Sequence, residues 1–153
     1  MVLYSPARRR MLYWITRLGG TAVALNGIAL APARAATPDA ERHRFMARAV
    51  EMRRRAIASG DQAFGAVVVK DGRVVGEGVS AVLTTPDPTA HGEMQAIRDA
   101  ARRLGSEKLA GCELYTTFQP CPMCETAAYW AGIERIFYGE AVTDGGAPRY
   151  RSC

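Results

Sequence analysis

Two short motifs constrain this chain more than anything else in it: His91-Gly92-Glu93 and Pro120-Cys121-Pro122-Met123-Cys124. One imidazole and two thiols make three ligands for a zinc ion. To share that ion, the fold must bring two distant segments to one point. A zinc with three protein ligands keeps a fourth position for water, the arrangement of catalytic sites, whereas structural zinc usually takes four protein ligands. Glu93 stands two residues from His91, so it can lean over the fourth position without binding the metal. Zinc lowers the pKa of a bound water from about 15.7 towards 7. Glu93 can then take that water's proton and pass it to a departing amine. This is the chemistry of hydrolytic deamination, in which water adds to an amidine carbon, the ring nitrogen is protonated and ammonia leaves. One zinc per chain is expected.

The local spacing supports a shared site. Both ligand groups are expected at helix starts: His91 and Glu93 where the loop Thr84 to Ala90 becomes a helix, Cys121 and Cys124 where a strand does. Residues three apart on a helix share a face. The free N–H groups of a helix start favour thiolate, the ligand form. Two thiolates, a neutral imidazole and Zn²⁺ sum to zero charge, so the site can be buried.

Rival readings exist. Cys-x-x-Cys after a strand also describes a dithiol oxidoreductase. Here Pro120 precedes the first Cys, the only proline after Cys124 is Pro148, and His91 and Glu93 would have no role. A structural, non-catalytic zinc would want a fourth ligand, and Cys112 and Cys153 are available. Cys112 is expected as a core thiol and Cys153 as an exposed terminal one. A Cys112–Cys153 disulfide has nothing to support it.

The charge is unevenly placed. Arg8, Arg9, Arg10, Arg17 and Arg34, with no acid among residues 1–35, account for the whole net charge of +5. The remainder is neutral, which argues against a nucleic-acid partner, since such affinity leans on Lys and Arg meeting phosphates. Six arginines fall in one expected helix (Arg42, Arg44, Arg48, Arg53, Arg54, Arg55). A solvated helix face is the favoured reading over a phosphate patch. Residues 1–35 have the layout of a secretory signal: arginines, the apolar run 19–31, and Ala33-Arg34-Ala35 as a cleavage site. Arg8-Arg9-Arg10-Met11-Leu12 gives it a twin-arginine look. The apolar run is shorter than the roughly 20 residues of a membrane span. The expectation is therefore a periplasmic protein with a removed leader at 1–35 and one domain at 36–153.

Within that domain, Thr37-Pro38-Asp39 opens a helix expected to run to about Ser59, where Gly60 ends it. Phe64 to Val69 reads as a strand, Asp71-Gly72 as a hairpin turn, and Val74 to about Leu83 as the returning strand. A helix carries Met94, Ile97, Ala101 and Leu104 on one face and closes at Gly105. Cys112 to Phe118 is a strand, Cys121 to Ala131 a helix, and Arg135 to Tyr138 a short strand. Residues 139–153 show no clear element. Strands alternating with helices predict an α/β fold with a mixed sheet.

From about Ala63 to Tyr138 the chain resembles the cytidine-deaminase-like superfamily, whose signature is H-x-E…P-C-x-x-C. The resemblance runs through Phe64-Gly65-Ala66-Val67, Asp87-Pro88-Thr89-Ala90-His91-Gly92-Glu93, Leu114-Tyr115-Thr116-Thr117, Pro120 to Cys124, and Ala128-Tyr129-Trp130-Ala131-Gly132. Its nearest look is to bacterial guanine deaminases and the related cytosine and tRNA adenosine deaminases. It implies a three-layer α/β/α sandwich, with His91, Cys121 and Cys124 as zinc ligands and Glu93 as proton shuttle. It implies that Gly92 and Cys121 offer backbone N–H groups to base or water. Phe64 and Trp130 would line the ring pocket, although a plain core role for Trp130 is an equal reading. It further implies a small nucleobase-like substrate, with guanine or a related purine or pterin ahead of cytosine, and a homodimer.

Three departures stand out. Gly92 replaces the family's usual Ala. Ser80, in Gly78-Val79-Ser80, stands where the family places a base-reading Asn, which makes Ser80 a substrate-binding candidate with less to offer. Gln62, Gln119 and Asp144 are the other candidate readers. The tail after Tyr138 is also shorter than the segment that closes the site in guanine deaminases.

Overall fold

The computed structural model describes residues 37–150. The leader expected at 1–35 and the expected terminal thiol Cys153 lie outside the described residues.

Helix α1 (Pro38–Ala58) begins where the sequence places a cap: Thr37 is extended and its Oγ1 accepts from Ala40 N at 3.3 Å. Strands β1 (Gly65–Lys70) and β2 (Arg73–Val79) form the expected hairpin. Its two turn residues sit at positive φ, Asp71 at 49° and Gly72 at 69°, which matches the twist of paired strands. Then come α2 (Gly92–Leu104), β3 (Cys112–Thr116), α3 (Pro122–Ala131), β4 (Arg135–Tyr138) and β5 (Thr143–Gly146).

The strands form one five-stranded sheet in the order β2-β1-β3-β4-β5. β1 is antiparallel to both β2 and β3, β3 and β4 are parallel across the α3 crossover, and β4 and β5 are antiparallel. Strand alternation gives the sheet two apolar faces. Val67, Val69, Tyr115 and Phe137 pack under α1 against Phe45, Met46, Ala49 and Met52. Ala66, Val68, Leu114 and Ile136 face the other way, with Ala96, Ile97, Ala100, Ala128 and Ala131 in the buried cluster on that side. The result is the expected α/β/α sandwich around a mixed sheet.

Helix α2 lies unusually close to β2. A Cβ on Gly76 would fall 2.5 Å from Ala96 O, and one on Gly78 would fall 1.8 Å from Gly92 O. The two glycines that break up the bulk of β2 are what let α2 come down onto it. This sets the height at which His91 is delivered.

The structure corrects the sequence reading in two places. β2 stops at Val79, short of Leu83, because the N–H groups of Val82, Leu83 and Thr84 turn to the Asp61 carboxylate. The segment after Tyr138 does contain a strand, β5. Its Thr-Asp-Gly-Gly sequence has one β former, Thr143, among residues that disfavour strands, and it is held by the edge of β4 and by Asp144 pairing with Arg135 at 2.9 Å.

Five of the six α1 arginines have partners within the fold. Arg48 pairs with Glu51 and Glu77, Arg53 with Glu140 and Arg55 with Glu51. Arg42 and Arg44 lie over the rings of Phe137 and Phe45. This is the ion-paired, solvated helix face expected from the sequence. Among the described residues, no helix is long and apolar enough to cross a membrane.

Candidate active site

Helices α2 and α3 both begin on a metal-ligand candidate. His91 is the extended N-cap of α2 and Cys121 the extended N-cap of α3. Neither side chain is spent on capping its helix. Pro122 follows at the first helical position, where its fixed φ and missing N–H cost nothing. Cys124 lies one turn on and is fully buried.

The three donors converge. His91 Nδ1 lies 3.7 Å from Cys121 Sγ and 3.6 Å from Cys124 Sγ, and the two sulfurs are 3.6 Å apart. A tetrahedral zinc with bonds of about 2.3 Å to sulfur and 2.0 Å to nitrogen needs donor separations of about 3.5–3.8 Å. The triangle has that size. Its chemistry fits too: burial pushes the Cys124 thiol well up, with Glu93 and Cys121 beside it adding to the effect. A thiolate there needs a cation, which zinc supplies.

Glu93 is 5% exposed and stays outside the donor triangle. Its Oε1 accepts from Thr116 Oγ1 at 3.1 Å, so the last residue of β3 fixes its orientation. The carboxylate is near enough to Cys124 to influence its thiol.

Gly92 packs against the first residue of β1. A Cβ there would press within 3.1 Å of Gly65 Cα and 3.2 Å of Gly65 N. Gly65 is itself hemmed in by α1, with Arg53 N 2.2 Å from where its Cβ would be. The smaller residue at 92 therefore suits a tight helix–strand contact.

The substrate-side residues fall differently from expectation. Phe64, half-buried, meets Phe118 edge to face, with ring centroids 5.3 Å apart and planes at 75°. Trp130 is not a core residue: it is 62% exposed, in an aromatic group with Tyr129 and Tyr150. Ser80 is buried, and its hydroxyl donates to Asp61 Oδ1 at 2.8 Å. Its proton is thus committed within the protein. Asp144 sits on β5 with Arg135, which leaves Gln62 and Gln119 as the polar candidates near the β1 and β3 ends.

Asp61 is the residue that sequence reading missed. Its carboxylate accepts six hydrogen bonds: from the backbone N–H groups of Gln62, Val82, Leu83 and Thr84 and from the hydroxyls of Ser80 and Thr84. Burial opposes its ionisation. The bonds from Thr84, Ser80 and Gln62 outweigh that and hold the carboxyl well below the usual carboxylate range. The loop it secures is closed by Ala81 N donating to Ala90 O, next to His91. Asp61 thereby anchors the loop that carries the first metal ligand. No motif announces this, since most of its partners are backbone groups. Phe118 was likewise read only as a strand end.

Sequence and structural relatives agree with this geometry. A model of the cytidine and deoxycytidylate deaminase zinc-binding region matches residues 39–140. The chain belongs to that family, and the donor atoms of His91, Cys121 and Cys124 lie close enough together to hold a metal ion. Guanine deaminase of Bacillus subtilis (strain 168) is 46% identical over 101 residues, 65% of this chain and 65% of that protein. A tRNA-specific adenosine deaminase of Agrobacterium fabrum is 42% identical over 108 residues, 71% of each chain. The crystal structure of the Bacillus subtilis guanine deaminase superposes with a TM-score of 0.61, covering 63% of this chain and 62% of that one. The chain thus spans a little under two thirds of that guanine deaminase.

Proposed function

We propose that this chain is a zinc-dependent hydrolytic deaminase of a small nitrogen heterocycle, with guanine or a related purine or pterin first and cytosine second. The observation that carries the reading is Glu93: a buried carboxylate beside a zinc-sized donor triangle, outside it, and oriented by Thr116. Zinc held by His91, Cys121 and Cys124 would supply a Lewis acid that makes water acidic near neutral pH. Glu93 takes the proton of the attacking water and delivers it first to the ring nitrogen. It then takes the proton of the hydroxyl now on the carbon and passes it to the amine, so that a carbonyl forms as the C–N bond breaks and ammonia leaves. The Thr116 hydroxyl, donating to Oε1, keeps the other carboxylate oxygen available for this transfer. The N–H groups at the starts of α2 and α3, Gly92 among them, face the developing negative charge.

Guanine deaminase and tRNA adenosine deaminase relatives are similarly close. The neutral net charge of residues 36–153 and the ion pairs of Arg48, Arg53 and Arg55 favour the small-molecule substrate over RNA. The exposed Tyr129–Trp130–Tyr150 group is the face we propose for a homodimer.

The experiment is a screen of purified, zinc-loaded protein for ammonia release from guanine, adenine, pterins and cytosine, with Glu93→Gln as control. The variant is expected to keep its zinc and lose at least about 10²-fold in rate, the low end for general acid–base catalysis. Metal-free protein with a reversible Cys121–Cys124 disulfide would overturn the proposal in favour of a dithiol oxidoreductase.

A further inference from the structure

The strand ends beside the metal ligands carry an aromatic pair that the mechanism does not use. On β3, Leu114 faces the α2/α3 layer, and Thr116, two residues on, reaches Glu93. Phe118 follows in the bend just past the end of the strand. On β1, Ala66 faces the same layer, and Phe64 precedes it by the same step. Phe64 therefore belongs to the side of the sheet that holds the metal site, and Phe118 meets its ring from the bend after β3.

Their surroundings place them at its mouth. Phe64 adjoins Gly65, which touches the Gly92 position between His91 and Glu93. Phe118 stands three residues before Cys121. Phe118 is held on two sides: Phe64 meets it edge to face, and the Arg53 guanidinium lies 5.5 Å from its ring centroid. Arg53 is in turn fixed by Glu140 at 3.1 Å. Yet 48% of Phe118 stays exposed. A large ring that is fixed in place but only half covered is a preorganised surface for another flat ring.

We propose that Phe118, backed by Phe64 and Arg53, is the wall against which the heterocycle lies, and that it sets the preference for bicyclic over monocyclic rings. The physical reason is that stacked or edge-on aromatic contact grows with shared ring area. The proposal rests on the deaminase reading above and names the part of the site that selects the substrate.

The test uses zinc-loaded full-length protein and the variants Phe118→Ala, Phe118→Leu and Phe118→Tyr. Two readouts are taken: kcat and KM for guanine and cytosine, and equilibrium binding of purine and pyrimidine, which carry no amine to lose. Phe118→Ala is expected to raise KM for guanine and weaken purine binding about tenfold or more, a typical loss when a base-stacking aromatic is removed. The effect on kcat should stay within about threefold, cytosine and pyrimidine should be affected less, Phe118→Tyr should restore the parent values, and Phe118→Leu should restore them only in part. Unchanged KM and purine affinity in Phe118→Ala would overturn the proposal while leaving the deaminase reading intact. So would a loss that comes with lost zinc or an altered oligomeric state, since Phe118 would then be a structural residue. If the parent protein deaminates nothing but binds purine in a Phe118-dependent way, the deaminase reading fails and the wall stands. A parent protein that neither binds purine nor turns over any heterocycle overturns both.

Discussion

The metal end of the site and its mouth are built on opposite principles. At the metal end the groups are mostly covered and engaged: Glu93 and Cys124 are buried, His91 and Cys121 are partly buried, Ser80 and Asp61 are locked together, and glycines let backbone touch backbone. At the mouth, Phe118 stands about half exposed, held by the Phe64 ring and the Arg53 guanidinium. The difference separates two jobs. Chemistry common to a family needs fixed geometry, while choice of substrate needs surface that a ligand can still cover.

Substitutions at the covered end should damage the whole protein. Gly78→Ala forces a Cβ to within 1.8 Å of Gly92 O and 2.4 Å of Ala96 N, both backbone atoms that have no room to retreat. We expect a loss of about 4 kcal/mol or more, at the severe end for single substitutions, read as insoluble protein or a collapsed thermal transition. A variant that melted within a few degrees of the parent would show that α2 can lift off the sheet.

Cys124→Ser should act next most strongly, on the metal rather than the fold. It removes one of three donors, and zinc measured by atomic absorption should fall from about one per chain to a small fraction of that. Retained stoichiometric zinc would mean that the donor set lies elsewhere.

Asp61→Asn should have the smallest and most specific effect. The Asp61 carboxyl is held below its unfolded value of about 3.9. Its contribution to stability is therefore complete above that value and is lost as pH falls through the folded one. An amide can accept only some of the six bonds and sets its own donors against the backbone N–H groups. The variant should melt lower than the parent at pH 7, and the two should converge as the pH is lowered below about 3. Parallel melting curves across that range would remove Asp61 from the loop's support.

The contrast also explains what the sequence could show. The ligand set was legible because Cys121 and Cys124 are one turn apart at a strand-to-helix junction and His91 opens the preceding helix. The layers were legible because β1 alternates between two apolar faces. Asp61 was hidden because four of its six partners are backbone N–H groups, which no side chain advertises. Strand β5 was hidden because its neighbour, not its composition, makes it a strand. Ser80 and Trp130 were assigned by position in a family pattern. Their surroundings depend on tertiary partners, Asp61 for one and Tyr150 for the other.

The close seating of α2 on β2 bears on the order of events in the life of this protein. Small metal-folded modules are unfolded until the ion arrives, so that metal loss and unfolding are one event. Here the helix that delivers His91 is pinned by Gly76 and Gly78 through contacts that involve no metal. Its partner helix starts from the central strand β3. A scaffold held this way is expected to assemble without the ion. A chelator should therefore leave an intact, reloadable fold, and zinc supply becomes a control on activity that leaves the amount of protein untouched.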